Sequence, residues 1–459
     1  MCCWETRRGA PLHSFIERHP TGDGLAHRHL SRLAALEPAP IAGRVSRVAG
    51  LVVESSGPMA SVGDVCDITL RDGRRLQAEV VGFRDGTLLS VPLGDTSGLC
   101  PGDRILARGA TLRVPCGPAL LGRVIDGMGL PMDGAGPLLT QETALLRPPV
   151  LNPLARASVT DPIGTGVRVI DGLLSVGRGQ RIGVFGGSGV GKSTLLGMIA
   201  RGTAADVVVL ALVGERGREV RAFLEEELGE EGRRRAVVVV STSDSPPLAR
   251  VRAAFAATAV AERFRADGAN VLLMVDSITR LAMAQREIGL AAGEPPTAKG
   301  YPPSVFAMLP GLLERAGNVR GQGSITAVYT VLVDGDDITE PITDAVRGIL
   351  DGHVMLSREL ASQGHFPAID VLGSVSRTMG AVVTPAHAGH ASRVRSWLAA
   401  LKTNEDLLSV GAYVAGSQPV LDEALARRDV VRGFLCQPSD TLCSHTDAVA
   451  GLAAVVGEA

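Results

Sequence analysis

Residues 181–193 read RIGVFGGSGVGKS, from Arg181 to Ser193. RIGVF is a short apolar run of the kind that forms a strand buried on both faces. A glycine-rich loop follows, and a helix is predicted to begin near Lys192. The segment Gly186, Gly187, Ser188, Gly189, Val190, Gly191, Lys192, Ser193 fits G-x-x-x-x-G-K-[ST] at every fixed position. Glycines at such a turn let consecutive backbone N–H groups face inward around phosphate oxygens. The helix that follows points its positive end at the same anion. Lys192 places a compact charge on the β- and γ-phosphates, and Ser193 offers a hydroxyl to Mg²⁺. With Thr194 beside it, this loop is read as the binding site of ATP and its magnesium ion.

Working outward, the chain repeats the same rhythm. VVVLALV (207–213), AVVVVS (236–241) and VLLMV (271–275) are further apolar strands, separated by the helical segments GREVRAFLEEEL and 248–265. Buried strands alternating with amphipathic helices predict a parallel sheet covered on both faces, the RecA-like arrangement of P-loop proteins. SITAVYTVL (324–332) and GHVMLS (352–357) add strands to it. Upstream, residues 38–113 alternate short β-branched runs with glycine turns about every 8–12 residues, which predicts a small β-barrel. Residues 114–163 are a Pro/Gly-rich connector into the sheet domain, which is expected to run over 114–385. From 386 to 459 the pattern turns helical, with Ala/Leu-rich stretches at 388–402, 419–428 and 445–455. Residues 1–37 are polar, rich in Arg and His, and stopped by Pro38 and Pro40, an N-terminal extension. The fold class is α/β: barrel, sheet domain, helical domain.

Composition excludes several functions. The chain has 459 residues and a formal net charge of −2, with 45% apolar and 20% charged residues. That is a globular, multidomain composition, neither disordered nor basic enough to coat nucleic acid. Its longest apolar runs fall far short of the roughly 20 residues that span a bilayer. Arg7 and Arg8 are not followed by an apolar segment, so no secretory signal is expected. The seven cysteines are scattered without a C-x-x-C pair and read as reduced thiols. Of 46 basic residues only Lys192, Lys299 and Lys402 are lysines. Lys192 falls where a guanidinium does not substitute for a point charge.

Two carboxylates end apolar strands. Asp276 closes VLLMV at its carboxyl end, where a carboxylate holds Mg²⁺ through water in P-loop enzymes. Glu215 follows VVVLALVG within GERGREV. It is placed to orient a water against the γ-phosphate, with Arg216 beside it. From spacing alone GERGRE reads equally as a charged helix start.

Several long motifs now combine. GGSGVGKSTL, ALVGERGREVRAF, VDSITRLAMAQREIGLAAGEPPTAKGYPPSVFAMLPGLLERAG, GSITAVYTVLVDGDD, ILDGHVMLSREL and FPAIDVLGSVSR run in order between about 180 and 380. Together they resemble the flagellar protein-export ATPase and its injectisome (type III secretion) counterparts, relatives of the catalytic subunit of rotary ATP synthases. The resemblance extends through GRVSRVAGLVVESSGP in the barrel and NEDLLSVGAYVAGSQPVLDEAL near the end, and fades over residues 1–37. It implies that Glu215 is the catalytic glutamate. Arg216, Glu219 and Arg280 then match polar positions around the γ-phosphate and metal. Arg377 in GSVSR matches the arginine finger that reaches a neighbouring subunit's site. Phe366 in HFPAID matches the aromatic that stacks on adenine, and Tyr413 in GAYVAGS a second aromatic near the base.

The resemblance further implies a Mg²⁺-dependent homohexameric ATPase energising protein export, cytoplasmic and peripheral at the inner face of the cytoplasmic membrane. Its partners would be a stator-like regulator docked on residues 1–37, a stalk protein, chaperone–substrate complexes and the membrane export gate. Flagellar use is the first reading, an injectisome the second, and a rotary ATP synthase catalytic subunit a third. A hexameric nucleic-acid translocase would need stacking aromatics in the barrel, where Phe83 is the only aromatic between 38 and 110. No nucleic-acid partner is expected.

Overall fold

The computed structural model describes residues 42–458, apart from 109–111, 334–336 and 338. The extension over 1–37, with its proposed docking role, lies outside the described residues.

Six strands close the barrel: β1 (Ala42–Ala49), β2 (Val52–Ser56), β3 (Val65–Thr69), β4 (Arg75–Arg84), β5 (Thr87–Pro92) and β6 (Arg104–Ala107). Their order around the barrel is β1-β2-β5-β4-β3-β6. Alternate residues point inward, so Val45, Val53, Ile68, Val80 and Ile105 fill the interior. The β4–β5 turn is the Asp85-Gly86 pair, both with positive φ (49° and 74°), as a two-residue hairpin loop requires.

Two small strands, β7 (Arg113–Pro115) and β9 (Thr143–Leu145), pair with each other below the barrel. Between them the connector supplies β8 (Val124–Asp126) to the central sheet, where it pairs in parallel with β12 (Ala236–Ser241). The rest of that sheet is β10 (Arg181–Gly186), β11 (Val207–Val213), β13 (Asn270–Asp276), β14 (Gly317–Asn318), β15 (Ser324–Leu332), β16 (Gly352–Leu356) and β17 (Ile369–Ser376). The order is β17-β16-β10-β15-β13-β11-β12-β8, with β14 paired to β15. Strands β10 to β13 with β15 are nearly wholly buried and mutually parallel, which brings their carboxyl ends to one edge. β17 runs antiparallel to β16, so its carboxyl end lies at the opposite edge. The Pro247–Ala266 helix covers β11, β12 and β13 with an alanine-rich face.

Barrel and sheet domain are joined by a buried ion pair. Arg252 Nε, on the Pro247–Ala266 helix, lies 3.1 Å from Glu79 Oε2 on β4, with both side chains almost wholly shielded from solvent. Arg84 Nη2 donates across the same junction to the Ala292 carbonyl at 2.6 Å. The helical end consists mainly of Pro385–Thr403, Pro419–Leu435 and His445–Val456 packed around Trp397 and Phe434. It is tied back by Arg168, whose guanidinium donates to the Gly433, Phe434 and Cys436 carbonyls. Among the described residues no helix is long and apolar enough to cross a membrane.

Candidate nucleotide site

The phosphate loop leaves β10 at Gly186. A Cβ there would stand 2.9 Å from Leu356 Cβ and 3.1 Å from Val190 Cγ2, so only glycine lets the loop turn against β16. Gly189 and Gly191 take φ of 81° and 87°, a left-handed backbone that costs glycine nothing. Val190 is buried, while Ser188, Gly189 and Ser193 are exposed. The helix Lys192–Gly202 starts at the lysine itself with Gly191 as its N-cap. Thr194 Oγ1 donates to Glu227 Oε1 at 2.7 Å, which leaves its backbone N–H at the helix start.

β15 lies between β10 and β13, so Asp276 stands one strand over from the loop. Lys192 Nζ is 3.0 Å from Asp276 Oδ1, with side chains 10% and 4% exposed. Thr330 Oγ1 on β15 donates to that same oxygen at 2.6 Å. For a magnesium ion the fit is favourable: an exposed Ser193 hydroxyl and a buried carboxylate with one oxygen, Oδ2, free of these bonds. Mg²⁺ is held this way through few protein oxygens plus phosphate and water.

Glu215 sits beyond β11 on a turn fixed by Gly214 N–H to the Ser241 carbonyl (2.6 Å) and Ser243 N–H to the Glu215 carbonyl (3.0 Å). Gly214 has φ of 72°, and a Cβ on it would meet Arg280 Cβ and Cδ at 3.0 Å. The missing side chain is what lets Arg280 lie along the turn, its Nε 3.1 Å from Glu215 Oε1. Burial pushes the Glu215 carboxyl up to about 7, helped by the Asp276 charge and a hydrogen bond shared with Glu219, and opposed by Arg280 and Lys192. Glu219 is held below its usual range because it is the ionised member of that shared hydrogen bond. Arg216 is exposed, and its Nη1 lies 3.3 Å from Glu219 Oε1. A carboxyl poised near neutrality beside a phosphate loop is equipped to take a proton from water.

Phe366 joins this group: a Cβ on Gly191 would be 3.6 Å from its Cδ1, and the residue is 47% exposed. That gives a half-open aromatic face against the loop, suited to a planar base.

Two predicted residues stand elsewhere. Tyr413 donates to Asp422 Oδ1 at 2.8 Å, in the first turn of the Pro419–Leu435 helix. The far end of that helix approaches Phe366 through Gln437, whose N–H donates to the Phe366 carbonyl at 2.9 Å. The helix therefore separates the two aromatics by roughly 20 Å at 1.5 Å per residue. The expectation that Tyr413 lies near the base is corrected on that ground. Arg377 follows β17 at the opposite edge of the sheet from its own phosphate loop. Its guanidinium is exposed and makes no ion pair or hydrogen bond among the described residues. From Gln180 to Gly186 along β10 the two edges are roughly 20 Å apart.

Gln437 also bears on the site. Its buried amide accepts from Arg168 N–H at 2.8 Å and donates to the Gly166 carbonyl at 2.9 Å and to the Thr441 carbonyl at 2.6 Å. It thus fixes the backbone behind Phe366. No motif marks it, because its partners are far apart in the chain.

A phosphate loop, a strand-end carboxylate paired with its lysine and a near-neutral glutamate define a P-loop ATPase whose sheet is flanked by a barrel and a helical domain. The ATP synthase alpha/beta family nucleotide-binding domain matches residues 166–376, and that family's beta-barrel domain matches 45–109. The T3SS EscN ATPase C-terminal domain matches 383–454. The flagellum-specific ATP synthase of Bacillus subtilis (strain 168) is 52% identical over 423 residues, covering 90% of this chain and 95% of that protein. The type 3 secretion system ATPase of Xanthomonas euvesicatoria is 50% identical over 418 residues, covering 91% and 94%. The assembled ATPase EscN of the enteropathogenic E. coli type III secretion system superposes with a TM-score of 0.86 at 44% identity, covering 90% of this chain and all of that one. The chain belongs to the ATP synthase alpha/beta family, among its flagellum-specific and type III secretion ATPases.

Proposed function

We propose that this chain hydrolyses ATP in a homohexameric ring that energises protein export through a flagellar type III secretion apparatus. The observation that carries the reading is the Glu215 carboxyl, held near neutral pH beside the Lys192–Asp276 pair. In this reading the N–H groups of Gly187 to Thr194 and Lys192 hold the phosphates, and Phe366 carries the adenine. Ser193 and, through water, Asp276 hold Mg²⁺, which supplies charge neutralisation at the phosphates when bound. Glu215 orients the attacking water and takes its proton; Arg280 and Glu219 set the Glu215 charge, and Arg216 sets Glu219. Arg377 serves the site of the next subunit, since its own phosphate loop is across the sheet.

The functional units would be 38–113, 114–385 and 386–459, with residues 1–37 as the docking arm for a regulator. The assembled ATPase EscN has been solved in complex with its central stalk EscO, which supports a stalk partner here too. Chaperone–substrate complexes and peripheral attachment at the export gate complete the reading. Flagellar rather than injectisome use is favoured by relatives such as that of Treponema pallidum, named a flagellum-specific ATP synthase and 53% identical.

The test combines phosphate release with light scattering. The purified chain is expected to turn over Mg·ATP only as a ring. A deletion strain is expected to be non-motile; a motile strain that no longer secretes effectors would move the reading to an injectisome.

A further inference from the structure

The two residues that flank Arg377 are both held by one buried amide. Gln180, fully shielded from solvent, donates from Nε2 to Ser376 Oγ at 3.1 Å. Its Oε1 accepts from Thr378 Oγ1 at 2.5 Å and from Gly177 N–H at 2.8 Å. The same Nε2 reaches the Asp351 carbonyl at 3.2 Å, and the Arg377 N–H donates to that carbonyl at 3.0 Å. Asp351 is itself fixed, because Arg181 grips its carboxylate with Nε and Nη2, both at 2.9 Å. Ser376 Oγ also donates to the Ser175 carbonyl at 2.9 Å. Gly352 makes room for the junction: a Cβ there would lie 3.1 Å from both Gln180 Nε2 and Ser376 Cα, and 2.5 Å from the Val375 carbonyl oxygen.

The backbone of Arg377 is therefore locked on both sides and from beneath, while its guanidinium is left without a partner among the described residues. A side chain held at its root and free at its tip suits a charge that must be delivered elsewhere. We propose that Gln180 is a positioning residue for Arg377, aiming it at the nucleotide of the adjoining subunit. This rests on the in-trans reading of Arg377. Gln180 touches no substrate. It acts by fixing Ser376 and Thr378, where a displacement of about 1 Å costs on the order of 10²-fold in rate.

The test uses mixed rings. Gln180→Met keeps the side-chain volume and removes the polar clamp. Thr378→Val removes one bond at a half-buried position and serves if the first variant fails to assemble. Each alone is expected to lower kcat by about 10²-fold or, for Thr378→Val, about tenfold, with KM for ATP within about twofold. A Gln180→Met subunit keeps a whole phosphate loop and Glu215 but has a misdirected finger. A Glu215→Gln subunit is the reverse. In rings assembled from equal parts, random assortment places a sound finger beside a sound site at about a quarter of the interfaces. Mixing Gln180→Met with Glu215→Gln is then expected to raise activity at least about tenfold over either alone, and mixing Thr378→Val with Glu215→Gln about two- to threefold over Thr378→Val alone.

A defect of Gln180→Met within its own site, transmitted along β10, would not be repaired by a neighbour. The control pairs Arg377→Ala with Glu215→Gln. If that control recovers activity and neither clamp variant does, Gln180 has no positioning role and the in-trans reading of Arg377 stands. If the control also stays inactive in assembled rings, the in-trans reading fails and the clamp falls with it.

Discussion

Lys192 Nζ and Asp276 Oδ1 lie 3.0 Å apart in a largely shielded pair. The cation proposed to meet phosphate and the carboxylate proposed to hold the metal therefore neutralise one another across the floor of the site. Removing the lysine alone leaves Asp276 buried with only the Thr330 hydroxyl. Lys192→Ala is expected to destabilise the nucleotide-free chain by about 3 kcal/mol. Adding Asp276→Asn should restore much of that loss. Urea unfolding of the single and double variants measures it, and equal midpoints for Lys192→Ala and the unaltered chain would contradict the pairing.

Glu215 must be deprotonated to accept a proton, and its carboxyl is pushed up to about 7. On the acid side kcat/KM is therefore expected to fall with the loss of one ionisation below about pH 7 and to level off above it, since this parameter reports the free enzyme. Glu215→Gln should keep nucleotide binding, lower turnover by at least about 10², and erase the acid limb in what activity remains. A pH–rate profile of both proteins is the measurement. An unchanged limb in the variant would assign the titration to another group.

Arg377 stands across the sheet from its own loop, so activity should depend on assembly. The rate per subunit is expected to rise with protein concentration until rings are complete. Arg377→Ala should lower kcat by about 10³ with little change in ATP affinity. Light scattering alongside the assay identifies the active species; a concentration-independent rate from a proven monomer would exclude action across an interface.

Arg252 and Glu79 are each almost fully buried, and Arg252 Nη2 has no partner. Truncating one member strands the other. Glu79→Leu alone is expected to cost about 3–5 kcal/mol, while Glu79→Leu with Arg252→Met should recover most of it. A double-mutant cycle on unfolding midpoints checks this. Additive losses would mean that the barrel is held by its apolar contacts instead.

Most of the architecture was legible in the chain because its apolar runs are long. VVVLALV and AVVVVS leave no alternative to buried strands, and the Asp-Gly turns mark the barrel. β8 was hidden in the connector because Val124–Asp126 is too short to show a period; its place follows from pairing with β12. IDVLGSVS carries a family motif, but nothing in it announces an antiparallel edge strand, and strand direction is what puts Arg377 across the sheet. Lys192 and Asp276 are readable from position, whereas Glu215 is readable only through the family resemblance, because GERGRE reads equally as a charged helix start. Their mutual contacts are not readable, since those arise from the strand order β10-β15-β13-β11. Tyr413 matches the family aromatic by likeness alone, and one intervening helix separates it from Phe366. Gln180 and Gln437 carry no motif because an amide's value lies in which distant segments it joins.

β10 has one more implication. It is six residues long, with the phosphate loop at its carboxyl end and, just before its first residue, the amide that holds the finger root. An extended strand rises about 3.3 Å per residue, and β10 is paired on both sides to β15 and β16, so it acts as a ruler between the loop and the root of Arg377. The span from phosphate loop to arginine root is thereby written in the covalent length of six residues rather than in any soft interface.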